Sequence, residues 1–131
     1  MASAIYPKAK EALLKADIDL ENDTIRAVLI DTGTYTYSSA HDFYNDLSGV
    51  VGTESSAFSS KTFTNGVFDA ADITFSAVTG ATVEAIVIFK DTGNTATDAL
   101  IAFIDTGTGL PVTPNGGDIS VAWNASGIFS L

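Results

Sequence analysis

The chain has 131 residues, a length typical of one domain, and no cysteine, which excludes disulfides and thiol chemistry. A hydrophobic share of 46 % excludes a disordered tail. The 16 acidic and 6 basic residues give a formal net charge of -10, and because such a surface repels phosphate backbones and anionic lipid, we expect neither nucleic acid nor membrane as a partner.

The N-terminal segment, residues 1–17, is predicted to contain a short helix. Pro7 suits the first helical turn, where its missing N–H would have no partner in any case. The apolar residues that recur at spacings of three and four are Tyr6, Ala9, Leu13 and Ala16. Lys8, Lys10 and Lys15 occupy other faces. Because the segment has no apolar run like that of a signal peptide, we expect synthesis in a cytoplasm, or export by a route that reads no N-terminal signal.

The remainder of the chain is predicted to consist of short strands separated by turns. The predicted strands cover residues 24–30, 34–37, 61–64, 67–69, 73–75, 82–90, 100–104, 119–123 and 128–131. The 82–90 segment is apolar on both faces, a pattern typical of a central strand. Asn65-Gly66 predicts a tight hairpin turn. Residues 39–47 predict a helical turn, and the Gly- and Ser-rich residues 49–60 predict an exposed, mobile loop.

This spacing of strands and turns predicts the fold class. Short strands with a turn about every ten residues are typical of all-β domains. We therefore expect a mainly-β fold, a compact β-sandwich or barrel of short antiparallel strands with a short N-terminal helix. No composition shift divides the chain, so residues 1–131 are predicted to be a single domain.

The tripeptide Asp-Thr-Gly occurs three times, beginning at Asp31, Asp91 and Asp105. Aspartic proteases use this triplet, and a retroviral-type protease subunit would have a similar length. That pattern requires a small residue after the glycine and one triplet per subunit, whereas here two threonines and an asparagine follow the three glycines. A turn accounts for all three copies, because Asp accepts backbone N–H groups and Gly supplies a positive φ. We interpret the triplets as corners and expect no enzymatic activity.

The acidic stretch from Asp17 to Asp23 is similar to a calcium-binding loop only in its spacing of acids. Counted from Asp17, the sixth and twelfth positions hold Asn22 and Val28, where an EF-hand needs Gly and Glu. We expect a solvated loop edge, with no metal site and no cofactor. His41, the only histidine, has no supporting nucleophile pattern and is expected to make a hydrogen bond within a helix or loop.

Aromatic side chains cluster in a Thr- and Ser-rich segment of the chain. They are Tyr35, Tyr37, Phe43 and Tyr44. The sequence leaves two alternatives open for them, a place in the core or an exposed patch that binds a partner, including a patch that stacks on sugars. Trp123 lies on an alternating strand and is expected in the core.

Several segments together carry a resemblance to a known family. They are residues 5–12 (IYPKAKEA), 31–37 (DTGTYTY), 78–87 (VTGATVEAIV) and 109–119 (GLPVTPNGGDI), with Trp123 and residues 127–129 (GIF). In these the chain resembles, over nearly its whole length, a family of small proteins encoded among the virion structural genes of tailed bacteriophages. The motifs are mostly turns and strands, so they indicate a shared fold and carry over no catalytic residue.

The resemblance implies a protein present in many copies on a virus particle. The first expected role is a capsid decoration (cement) protein that binds the outer surface of the major capsid protein shell and stabilises it. Binding at threefold junctions would favour a homotrimer. The alternatives are a tail, head–tail connector or fibre-base protein and, from another class, the aspartic protease.

Two segments supply the candidate partner-binding residues. The N-terminal helical segment is the candidate docking arm, because a chain terminus is free to reach a neighbour and is expected to be mobile before it binds. The candidates are Ile5, Tyr6, Lys8, Lys10 and Lys15 in the arm and Tyr35, Tyr37, Phe43 and Tyr44 in the aromatic segment.

Overall fold

The computed structural model describes residues 4–106 and 109–131, and within them the chain forms one α-helix and nine short strands. The helix, α1, is Pro7–Leu14. The strands are β1 (Ala4–Ile5), β2 (Ile25–Ile30), β3 (Val50–Val51), β4 (Val67–Phe68), β5 (Ile73–Phe75), β6 (Ala85–Lys90), β7 (Leu100–Ile104), β8 (Ile119–Val121) and β9 (Phe129–Ser130). They pair antiparallel, so the prediction of a mainly-β fold with a short N-terminal helix is confirmed.

The core sheet has five strands in the order β1-β7-β6-β2-β3. β6 lies at its centre, as the two-sided apolar pattern predicted. Nearly every residue of β2, β6 and β7 is buried, with Arg26 and Lys90 as the partly exposed members. Since consecutive strand residues point to opposite faces, both faces of this sheet are covered. β1 and β3 are its two edges and do not pair with each other, so the sheet does not close into a barrel.

Aromatic side chains cover one face of the core sheet. Tyr35 and Tyr37 pack against Phe103 of β7, with ring centroids 6.3 and 5.6 Å apart, and Tyr44 meets Phe89 of β6 edge-on at 5.0 Å. The β6–β7 register places Phe89 and Phe103 on the same face. The segment that follows β2 therefore folds back over the sheet.

Two small sheets, β4-β9 and β5-β8, complete the core. In β5 and β8 the outer residues are buried while the middle ones, Thr74 and Ser120, are exposed, so each strand presents one face to the core. Phe68 of β4 stacks with Phe58 at 6.4 Å and contacts Phe129 of β9 at 5.2 Å. Buried side chains from all three sheets belong to one hydrophobic cluster.

The N-terminal segment is anchored in the core sheet. β1 pairs with β7, and the N–H of Tyr6 donates to the carbonyl of Ile101 at 3.0 Å. Pro7 occupies the first turn of α1, as predicted. Tyr6 and Ala9 are buried, whereas Ala16, predicted on the same apolar face, lies beyond the end of the helix and is exposed. Backbone pairing and burial thus connect this segment to the core sheet, and its role as a docking arm stays a prediction.

The connections agree with the sequence analysis at two places. Asn65 and Gly66 both have positive φ, 55° and 78°, and lie in the turn across which Thr62 and Asp69 exchange backbone hydrogen bonds, but the predicted strand at residues 61–64 is reduced to this one bridge. A short 3-10 helix at Tyr44–Asp46 lies within the predicted helical turn.

One other prediction for the connections is wrong, and a second holds only in part. Residues 34–37 form no strand. The stretch 49–60, predicted as an exposed loop, contains β3, and its N–H groups at Ser55 and Phe58 donate to β2 carbonyls at 2.8 Å. Both side chains are buried, so this segment extends the sheet edge instead of leaving it.

Candidate interaction surface

Two candidate residues, Tyr6 and Tyr35, belong to a chain of hydrogen bonds that lies between the core sheet and the aromatic segment that packs on it. The hydroxyl of Tyr35 lies 2.8 Å from the hydroxyl of Tyr6 and 2.7 Å from Nδ1 of His41. With Nδ1 unprotonated, Tyr35 donates to His41 and Tyr6 donates to Tyr35, so each hydroxyl proton has an acceptor. Burial raises the pKa of both tyrosines, which keeps them neutral. Because both side chains are buried, they present no surface to a partner.

The remaining aromatic candidates are half-buried. Tyr37 packs on Tyr6 with ring centroids 4.9 Å apart, and Phe43 forms a β-bridge with Ala99. Burial raises the pKa of Tyr44, which packs on β6. Of the two alternatives that the sequence left open, packing on the core accounts for most of this segment, and a partner could contact only the exposed remainder of these three side chains.

The three lysines of the N-terminal segment lie on different flanks of α1. Lys8 pairs with Glu11 at 3.0 Å, and Lys15 pairs with Asp17 at 3.5 Å. All four of these residues line one cleft of about 390 Å³. Lys10 lines a separate groove and makes no ion pair within the part of the chain that the structure describes. Lys10 is therefore the lysine of this segment whose charge is available to a partner.

An exposed apolar surface runs from α1 to β9 and on to the hairpin that precedes β4. We call it the apolar strip, and its residues are Ile5, Leu13, Leu14, Phe63, Phe129 and Leu131. Three depressions of about 430, 220 and 90 Å³ lie along it and share lining residues. The three large hydrophobic side chains exposed among the described residues all belong to it: Leu14 is 90 %, Leu131 72 % and Phe63 38 % exposed. Contiguous exposed apolar surface is typical of protein-interaction sites.

The apolar strip has few charged side chains, although the chain as a whole is strongly acidic. The residues that line its three depressions include Lys10 and no acidic side chain. The chain as a whole has 16 acidic residues and a net charge of -10. Lys10 is therefore the one charged side chain among the residues that line the depressions of the apolar strip.

The sequence analysis placed Ile5 and Lys10 among the candidates but missed Leu14, Phe63 and Leu131. One signal was available: Leu13 and Leu14 are adjacent, and neighbouring helix residues point about 100° apart, so both cannot face the core. No sequence signal joins Phe63 to Leu131, because the pairing of β4 with β9 brings them together.

The Asp-Thr-Gly triplets at Asp31 and Asp91 are turns, as interpreted from the sequence. Each carboxylate accepts a hydrogen bond from the glycine N–H two residues on, Gly33 or Gly93, at 2.9 Å. Gly93 has the positive φ expected of a corner, 84°, whereas Gly33 does not, so the glycine is conformationally required in one turn and not in the other. The third triplet, which ends at Gly107, lies partly outside the described residues.

The acidic loop after α1 is organised by its own hydrogen bonds. The carboxylate of Asp19 accepts the side-chain amide of Asn22 at 2.7 Å and the N–H of Glu21 at 3.0 Å, and the Asn22 amide is the main cause that lowers the pKa of Asp19. Asp23 pairs with Lys90 at 3.1 Å. In the described part of the chain, no group of three or more His, Asp or Glu residues is placed to hold a metal ion.

Comparison with known proteins assigns no family. No protein-family model matches the chain, and no curated protein matches it. None of the helices within residues 4–106 and 109–131 has the length and apolar character that a membrane crossing requires.

Proposed function

We propose that the chain is a non-enzymatic structural protein of a tailed-bacteriophage virion. In this proposal it is a decoration protein that binds the outer surface of the major capsid shell and stabilises it, with copies grouped as trimers at threefold junctions. The location on a virion rests on the sequence resemblance of residues 5–12, 31–37, 78–87 and 109–119. The mode of action, binding to another protein, rests on the structure.

The observation that carries the binding function is the clustering of exposed apolar side chains in the apolar strip. Leu14, Leu131 and Phe63 would each lose contact with water if a protein covered them. Burying a leucine side chain contributes about 1.5–3 kcal/mol. A capsid shell offers many equivalent binding positions, and the burial free energy is gained at each position that the protein occupies. A weak contact at each position can therefore stabilise the whole particle.

The described Asp-Thr-Gly turns support a structural role over the protease alternative. The carboxylates of Asp31 and Asp91 each accept a hydrogen bond inside their own turn. Asp91 is held further by Arg26, whose Nε lies 2.7 Å from its carboxylate. An aspartic protease needs two carboxylates that share one proton, whereas the Asp91 carboxylate is already bonded to Arg26 and to the N–H of Gly93.

Quantitative mass spectrometry of purified particles from the phage that encodes the chain tests the proposal. A decoration protein is expected on the order of hundreds of copies per particle, in a fixed ratio to the major capsid protein. A low copy number, such as about six or twelve per particle, would place the protein in the tail or connector and refute shell binding. Cleavage of a denatured protein substrate at acidic pH, lost in Asp31→Asn, would establish the protease instead.

A further inference from the structure

The apolar strip and Lys10 together define the kind of surface that they would bind. We propose that the apolar strip docks an apolar segment of the capsid shell protein that places a carboxylate opposite Lys10. This inference rests on the proposed function and adds to it the contact surface and the chemistry of the partner.

The apolar strip fits a different protein better than a second copy of this chain. Two chains of net charge -10 repel each other, so copies grouped at a threefold junction would be held there by their contacts with the shell. The large hydrophobic side chains exposed among the described residues all belong to the apolar strip, so a second copy has no separate apolar surface to set against it in a head-to-tail contact.

Charge complementarity assigns the partner a carboxylate. Lys10 lines the largest depression of the apolar strip beside Leu13, Leu14 and Leu131, and it has no ion-pair partner among the described residues. A lysine whose ammonium group is free at the rim of an apolar surface selects a partner that is apolar at the centre and negative at the matching edge. Lys8 pairs with its own helix and lines the cleft on the other flank, so it does not take part.

The test compares variants of the full chain in binding to particles purified from a phage strain in which its gene is deleted. Leu14→Asp and Lys10→Glu alter the apolar strip, and Lys8→Glu is the matched control, with the same charge change on the other flank of α1. Leu14 is 90 % exposed, so its substitution leaves the core intact. We expect both strip variants to bind at least about tenfold more weakly, since one buried side chain is worth a factor of that order. Lys8→Glu is expected to bind as tightly as the unmodified chain.

The outcomes separate the inference from the proposed function. If the unmodified chain does not bind the particles, the proposed function is wrong, and with it the shell protein as the occupant. If it binds and Leu14→Asp binds equally well, the function stands and the apolar strip is not the contact. If Lys10→Glu binds like the unmodified chain, the partner carboxylate is refuted. Analytical ultracentrifugation completes the test: self-association abolished by Leu14→Asp would make a second copy the occupant and overturn the inference.

Discussion

Replacing Tyr6 by Phe removes one hydroxyl from the buried chain that joins Tyr6, Tyr35 and His41. As a single substitution, Tyr6→Phe removes the 2.8 Å hydrogen bond between the Tyr6 and Tyr35 hydroxyls, whereas Tyr35 keeps its 2.7 Å hydrogen bond to His41. The expected loss in free energy of unfolding is about 1 kcal/mol. Tyr35→Phe loses both hydrogen bonds and leaves the Tyr6 hydroxyl buried without its acceptor, so it should cost about 2–3 kcal/mol.

The double variant Tyr6→Phe/Tyr35→Phe tests whether the two hydroxyls are coupled, because the effect of Tyr6→Phe on the free energy of unfolding should change when Tyr35 is already Phe. Once Tyr35 is Phe, the Tyr6 hydroxyl is a buried donor with no acceptor, and removing it should be neutral or stabilise by about 1 kcal/mol. The same substitution, Tyr6→Phe, is thus expected to destabilise one background and not the other, a coupling of about 1–2 kcal/mol. Urea unfolding near pH 7.5, followed by fluorescence of the single Trp123 and by circular dichroism, measures all four free energies. Equal costs of Tyr6→Phe in both backgrounds would refute the hydrogen-bonded chain.

Three further predictions address other parts of the fold. Burial raises the pKa of Tyr6 above its unfolded value near 10, so the contribution of Tyr6 to stability is complete below about pH 10 and is lost as the pH rises further. The free energy of unfolding in urea should therefore fall less steeply above about pH 10 in Tyr6→Phe than in the unmodified chain, and an equal fall would contradict this. Gly127→Ala should cost more than about 2 kcal/mol in thermal or urea unfolding, because φ is 108° and a Cβ would collide with β4. Gly93→Ala, also at positive φ but with open space around it, is the control and should cost about 1 kcal/mol. Asp98→Ala should cost about 2–3 kcal/mol, because the buried carboxylate accepts the N–H and hydroxyl of Thr92 at 2.6 and 2.7 Å, and a cost near zero would show that these bonds contribute nothing.

The strands that the sequence predicted well are those with a strong local pattern. The 82–90 segment is apolar at every core position, and such a run is favourable only where both faces are covered, which is where β6 lies. The Leu100–Ile104 strand was predicted with its observed bounds for the same reason. Asn65-Gly66 was predictable because few other dipeptides adopt two successive positive φ angles.

The errors occur where long-range contacts override local composition. Ser55 reads as a loop residue, yet its side-chain oxygen accepts the N–H of Ala27 at 3.0 Å and is buried against β2. Trp123, expected in the core, is half-buried instead, and its indole N–H donates to the carbonyl of Ala71 at 3.2 Å. Neither contact leaves a trace in the neighbouring sequence, because each partner lies far away along the chain.

The candidate surface was predictable in part. The sequence drew attention to the N-terminal helix and to Lys10, because lysines are rare in this acidic chain. The apolar spacing placed Tyr6 on the inner face of the helical segment, and its burial agrees with that spacing and not with its second assignment as a partner-binding candidate. The sequence did not indicate the apolar strip, which β1, α1 and β9 form only after folding.

The two-sided burial of β6 and β7 has a consequence for how the chain tolerates variation. In β5 and β8, every second position faces water, so a saturation scan should show Thr74 and Ser120 accepting most residues between intolerant neighbours. In β6 and β7, no position from Ala85 to Phe89 or from Leu100 to Ile104 has such freedom. At β6 and β7 the scan would therefore show unbroken blocks that accept no polar residue, as it would at Ala27–Ile30 of β2, and related sequences should differ mainly outside these blocks.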